Sequence, residues 1–238
     1  MAIRNVLYNN QNYSISYEIS NQDMSESIVF LHGWGSNKEI MKQAFGNEFE
    51  NYKHIYIDLP GFGSSSINTP ITTQDYADII GVFLDSLHVK PLIIAGHSYG
   101  GKVAALLNPK NLILLSSAGI VVPKAFKIKM KIKIFKMFKN IVPKCMYKLF
   151  ASDDVKGMSQ TMYEIFKSVV DEDYRSVFAQ VTSNTFIFWG KEDSATPLSS
   201  GVQISQIIKG SKFYPLEGDH FFFIKNAKFI SKSINEQL

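Results

Sequence analysis

The residues with the most chemical potential lie at Gly96-His97-Ser98-Tyr99-Gly100-Gly101, directly after the apolar run PLIIA and before a helix-like stretch. This is the G-x-S-x-G pattern in a strand–turn–helix setting. A serine there sits on a sharp, strained turn, and glycines at 96 and 100 let neighbouring backbone come close without a clash. A serine hydroxyl is a weak nucleophile alone; it needs a base, and an acid that orients the base. Among the histidines, His54 opens a strand, His88 ends a helix, and His32 and His97 belong to glycine-flanked loops. His220, in Gly218-Asp219-His220-Phe221, falls after the last strand, where the chain order Ser…Asp/Glu…His puts the base. The acid belongs after a strand between the two. Asp193 follows the run TFIFW, with Glu192 as the fallback, whereas the preceding strand leads into Ser116 and Ser117. Asp219 reads better as a carboxylate that stabilises its own loop.

A second glycine-flanked turn, His32-Gly33-Trp34-Gly35-Ser36, follows the run SIVFL. Such a turn after an earlier strand is where an oxyanion hole finds one of its backbone donors. The expected pair is the N–H of Trp34 and the N–H of Tyr99, with His32 as a structural brace. The plainer alternative is a tight turn with Trp34 in the core.

These loops need a sheet to hold them. Short, nearly continuous apolar runs at Ser27–Leu31, His54–Asp58, Pro91–Ala95, Leu112–Ser116 and Thr185–Trp189 read as strands buried on both faces. Ile3–Tyr8 and Tyr13–Glu18 read as an antiparallel pair, and Lys212–Leu216 as a final edge strand. Helices are expected at Lys38–Glu50, Thr73–His88, Tyr99–Leu107, Ser199–Ile208 and Ile224–Gln237, with Thr72 or Thr73 as a cap. The alternation specifies an α/β protein with a mostly parallel twisted sheet of about eight strands flanked by helices. Residues 120–181 interrupt it without a strand signal. That length is too great for a connection, and it reads as a helical cap, with a helix over Gly157–Val170, inserted into a core of residues 1–119 and 182–238.

At 238 residues, 45% hydrophobic and 19% charged, the chain is a globular protein rather than a disordered or fibrous one. A single cysteine, Cys145, excludes an internal disulfide framework and a cysteine-rich metal site. With no apolar leader and no span-length apolar run, the expected location is cytoplasmic. The formal charge of +4 is concentrated: nine lysines and no acid lie between Lys124 and Lys148, and without them the chain carries −5. That segment has no arginine, which argues against nucleic acid as a partner. The choice is between lysine stems lying over a cap surface and a docking site for an acidic carrier protein or an anionic surface.

The combination HGWG, GHSYGG and Asp58-Leu59-Pro60-Gly61-Phe62-Gly63-Ser64-Ser65 resembles the α/β-hydrolase-fold enzymes over about Ser27–Phe223. It is similar to the small bacterial carboxylesterases and to the meta-cleavage product hydrolases. The resemblance implies an α/β-hydrolase fold and a serine hydrolase of carboxylic esters, with Ser98, Asp193 and His220 as catalytic residues. Serine at 98 separates the chain from dehalogenases and epoxide hydrolases, which carry aspartate there. Carbon–carbon cleavage of the meta-cleavage type, and a non-catalytic binding role on the same fold, remain open beside it. The substrate is expected to be a small-molecule ester, and neither a metal nor an organic cofactor is implied. Phe126, Met130, Met158, Met162, Phe166 and Phe221, with Phe135 and Met137, are candidates to line an apolar acyl pocket, although such residues serve equally as packing.

Overall fold

The structure is a computed structural model that describes residues 1–121 and 159–238. Eight strands form one sheet: β1 (Ala2–Tyr8), β2 (Gln11–Ser20), β3 (Ser27–Leu31), β4 (Lys53–Ile57), β5 (Ile93–His97), β6 (Asn111–Leu115), β7 (Asn184–Gly190) and β8 (Lys212–Leu216). Their order is β1-β2-β4-β3-β5-β6-β7-β8. Pairings β1/β2 and β2/β4 are antiparallel, and the remaining five are parallel. Strands β3, β5 and β6 are buried along their whole length, as strands covered on both faces must be.

The described helices are α1 (Lys38–Phe45), α2 (Thr73–Ser86), α3 (Tyr99–Leu107), α4 (Gln160–Val169), α5 (Arg175–Phe178), α6 (Leu198–Ile207) and α7 (Phe223–Asn235). On one face, residues of α2, α3, α4 and α6 pack with Val29, Leu31, Ile55 and Leu112. On the other, α1 and α7 pack with Ile28, Phe30, Tyr56 and Phe186. Helix α1 stops at Phe45, short of the Glu50 expected from sequence, and the chain turns away over the next residues, with Phe49 at φ +53°. Helix α2 starts where its sequence says it should, on a reciprocal capping box between Thr72 and Asp75. Within the described residues no helix is long and apolar enough to cross a membrane.

Because β3 pairs with β4 on one side and β5 on the other, the strand order reverses there, and a crevice opens at the carboxyl ends of β3 and β5. The loops that border it are pinned by buried polar groups. Asp58, fully buried, accepts from the Lys38 ammonium at 2.8 Å, the Lys38 amide at 2.8 Å and the Ser64 amide at 3.0 Å. Burial acts to raise the Asp58 pKa, but the Lys38 and Ser64 contacts outweigh it and hold the carboxyl below its ordinary value. His32 makes the second pin. Its Nδ1–H donates to the Gly33 carbonyl at 2.8 Å, and its Nε2 accepts the Leu59 amide at 3.1 Å. Burial pushes the His32 pKa down to about 4, so the ring is a neutral strut.

A third buried group sets the position of α4. Lys102, on α3, donates to the Val169 carbonyl at 3.0 Å and to Glu172, and its ammonium lies 4.4 Å from the centre of the Tyr174 ring. Thr73, at the start of α2, donates to the same Glu172 carboxylate at 2.6 Å.

Asp58→Asn leaves the buried Lys38 ammonium with only the exposed Glu39 carboxylate, 3.7 Å away, and the expected loss in urea unfolding is about 3–5 kcal/mol. Lys38→Met combined with Asp58→Leu should cost clearly less than that single change. Acid should destabilise the protein through His32. The unfolded chain takes up its proton near the ordinary pKa of 6.5 and the folded chain only near 4, so stability falls as pH drops between the two. One such group is worth on the order of 2 kcal/mol between about pH 7 and pH 5. Urea midpoints at those two values check it, and equal stability at both would refute it.

Candidate active site

Ser98 follows the last residue of β5 and precedes the first of α3, in a backbone conformation of φ +51° and ψ −114°. Only a surrounding structure that over-determines the turn keeps a non-glycine residue there, at a cost of about 1–3 kcal/mol. Three backbone bonds do so. The Ser98 amide donates to Leu115 at 3.0 Å, and the Ser98 carbonyl accepts from Gly101 and Ala118, each at 3.0 Å. The turn is also too crowded for side chains. A Cβ on Gly96 would come within 2.3 Å of the Gly100 carbonyl oxygen, and one on Gly100 within 2.5 Å of the Leu31 and His32 oxygens.

The HGWG loop is packed directly on this turn, since a Cβ on Gly33 would lie 3.1 Å from the Ser98 Cβ. The adjacency follows from the β3/β5 pairing, which brings the two strand ends side by side. Among the described residues, neither the Trp34 amide nor the Tyr99 amide has an acceptor. Tyr99 opens α3, so its N–H is one of the donors that a helix start leaves unpaired. The Trp34 ring is half-buried, edge-to-face with Phe62 and Tyr99 at 4.9 and 5.3 Å between centroids, and 5.5 Å from Phe166. The side chain therefore packs, as the plainer reading of that loop supposed, while its amide stays unbonded.

Asp193 and His220, from the loops after β7 and β8, meet at 2.8 Å between Oδ2 and Nδ1. Both are buried, at 6% and 4% exposure. The other carboxylate oxygen accepts the amides of Ala195 and Thr196 at 2.8 and 2.9 Å, and the Thr196 hydroxyl lies 2.8 Å from Oδ2. Burial works to raise the Asp193 pKa, but the charge and hydrogen bond of His220 and the Thr196 amide prevail and keep it below the ordinary carboxyl value. An ionised Asp193 can only accept, so the His220 proton sits on Nδ1 and Nε2 carries the lone pair. No hydrogen bond joins Ser98 to His220 among the described residues.

The neighbouring carboxylates have other work. Glu192 accepts the Gly218 amide at 2.6 Å, and Asp219 accepts the Phe221 amide at 2.9 Å, so both brace the loop that carries His220. Of the pocket candidates, Met162 is buried against Gly61, where a Cβ would strike its sulfur at 2.4 Å, and Phe166 faces Trp34. Phe221 packs on His97 and Phe223 at 5.4 and 6.3 Å, in the core on the α1 and α7 face. Phe126, Met130, Phe135, Met137, Met158, Cys145 and the lysines from Lys124 to Lys148 lie outside the described residues. Sequence reasoning missed the contact of His97 with His220, a carbonyl bond of 3.0 Å across the two loops, because nothing local to either residue signals it.

Comparison with known proteins agrees with this architecture. The family model described as Alpha/beta hydrolase family matches residues 28–229. A curated relative, 2-succinyl-6-hydroxy-2,4-cyclohexadiene-1-carboxylate synthase of Escherichia coli O157:H7 (strain EC4115 / EHEC), is 34% identical over 79 residues. That stretch is 33% of this chain and covers only 31% of the relative's length. Among solved structures, the esterase from Exiguobacterium antarcticum superposes with a TM-score of 0.74 at 22% identity, over 94% of this chain and 95% of that one. The meta-cleavage product hydrolase from Pseudomonas fluorescens IP01 gives 0.76 at 17% identity, over 98% and 96%. A thermophilic esterase from Thermogutta terrifontis gives 0.75 at 16%, over 99% and 97%. Identities this low speak for the fold alone. With most of its length inside the family match, its parallel sheet and its strained serine turn, the chain belongs to the Alpha/beta hydrolase family.

Proposed function

We propose that the protein is a serine hydrolase of carboxylic esters, acting through Ser98, His220 and Asp193. The observation that carries this reading is the 2.8 Å bond between Asp193 and His220, held in the same loop cluster as the strained Ser98 turn. The Ser98 hydroxyl attacks the ester carbonyl while His220 Nε2 takes its proton. Asp193 fixes the Nδ1–H tautomer and stabilises the imidazolium. The Trp34 and Tyr99 amides hold the tetrahedral oxyanion, a contribution of roughly 3–4 kcal/mol per donor in comparable sites. His220 passes the proton to the leaving alkoxide, and the acyl group stays on Ser98. Water, deprotonated by His220, then releases the acid and restores the serine.

A second reading, carbon–carbon cleavage of the meta-cleavage product type with the same three residues, draws on the likeness of fold to the meta-cleavage product hydrolase. It requires cationic groups to hold a substrate carboxylate. Residues 120–181, proposed as a cap, include the lysine-rich segment that would meet this need or guide an anionic acyl carrier towards the site.

A fluorophosphonate probe should label the wild-type protein, and Ser98→Ala should abolish the labelling; persistent labelling removes Ser98 from the role. With p-nitrophenyl esters of graded chain length, wild type should turn over at least one, and Ser98→Ala none. Turnover of a chromogenic ring-cleavage product without ester hydrolysis would favour the second reading. Replacing Lys127, Lys129, Lys131 and Lys133 with glutamine should lower kcat/KM for an anionic or carrier-bound ester, most at low ionic strength. A small neutral ester should be unaffected; an equal effect on both, or on neither, rules the docking role out.

A further inference from the structure

His97 takes no part in the proton transfers proposed for Ser98 and His220, yet it is built into the same corner and is 1% exposed. Its Nε2 lies 3.0 Å from the backbone carbonyl of His220. A carbonyl only accepts, so Nε2 carries the hydrogen, and in a neutral imidazole Nδ1 is then a bare acceptor. That Nδ1 is buried with no hydrogen-bond partner, and a Cβ on Gly33 would come within 2.9 Å of it. One face of the ring meets the His220 imidazole, 4.6 Å between centroids, and Phe223 and Phe221 stand at 4.7 and 5.4 Å.

An unpartnered buried nitrogen is a cost that packing alone would avoid with an apolar side chain. What histidine adds here is a single N–H, aimed at the residue that carries the base, on a flat ring without charge. Burial, reinforced by the charge of His220, holds the His97 pKa well below its ordinary value; Asp193 acts against this and His32 with it. The ring beside His220 therefore stays neutral when His220 becomes an imidazolium.

We propose that His97 is a positioning residue for His220: its Nε2–H fixes the His220 carbonyl, and its neutral ring backs the imidazole. With main chain and ring both held, His220 keeps Nδ1 on Asp193 and leaves Nε2 for the Ser98 proton. The inference rests on the hydrolase reading for its catalytic consequence, but not for its structural one.

Three variants test it, His97→Leu, His97→Asn and His97→Gln, since glutamine alone places an amide N–H near the Nε2 position. Two measurements are made: steady-state kinetics with p-nitrophenyl acetate, and the downfield proton resonance of His220 Nδ1–H in the NMR spectrum. For the leucine and asparagine variants we expect kcat to fall roughly 10- to 100-fold with KM nearly unchanged, as a misplaced catalytic group predicts. The downfield resonance should broaden or vanish in both. The glutamine variant should recover the resonance and most of kcat. The proposal is overturned if the asparagine or leucine variant keeps the resonance and kcat and loses only urea stability, or if glutamine rescues neither. Should the leucine variant fail to fold, the asparagine and glutamine pair decides. Failure of wild-type Ser98 to react with a fluorophosphonate would instead remove the hydrolase reading, and the resonance comparison would still test His97.

Discussion

A left-handed backbone at Ser98 is the constraint around which the carboxyl end of the sheet is organised. An L-residue is held at φ +51° only if its neighbours leave no other option. They do so through the Leu115, Gly101 and Ala118 backbone bonds and through contacts so close that residues 96 and 100 must lack side chains. The HGWG loop is drawn into the same packing, because β3 and β5 are neighbours and their ends share one crevice. That loop depends in turn on His32 and, beyond it, on the Asp58–Lys38 pair. A local strain is thus supported by a chain of fully hydrogen-bonded buried groups, which keeps each desolvation cost small.

The histidines show how surroundings, rather than residue type, assign a role. His32 and His54 are buried against backbone carbonyls and other neutral groups, and burial lowers the pKa of both. His97 is equally buried, but with one nitrogen unpartnered. His220 differs in facing a carboxylate that is itself satisfied by two backbone amides. His220 thus has a counter-charge in direct contact, whereas His32 and His97 feel the charges of Asp58 and Asp193 without bonding to them.

The wall beside Ser98 is aromatic and partly supplied by α4. Trp34, Phe62, Tyr99 and Phe166 contact one another edge-on or tilted, and Met162 fills the space over Gly61. Helix α4 is fixed there by its own N-cap, Ser159, and at its far end by the buried Lys102 ammonium with Glu172 and Thr73. Helix α4 is therefore tied to α3, the helix that follows Ser98.

Most of the fold was legible in the chain because burial on two faces leaves continuous apolar runs, and caps and glycines mark helix ends locally. The five inner strands, the serine turn and the loops after β3, β7 and β8 all carry such local signals, and these are what make Ser98, Asp193 and His220 candidates in the sequence. The end of α1 was less legible, because the left-handed residue that follows it, at φ +53°, is Phe49 and not a glycine. What local pattern could not contain was the pairing of distant polar groups. In the sequence Lys38 is only the start of an expected helix, and the β2-β4-β3 order buries it on Asp58. In the sequence His97 is only a histidine on a glycine-flanked loop, and the closure of β5 against the loop after β8 brings it to the carbonyl of a residue 123 positions away. Sequence periodicity records which side of an element is dry. Which buried donor meets which acceptor depends on strand order and loop closure, and those exist only once the sheet has formed.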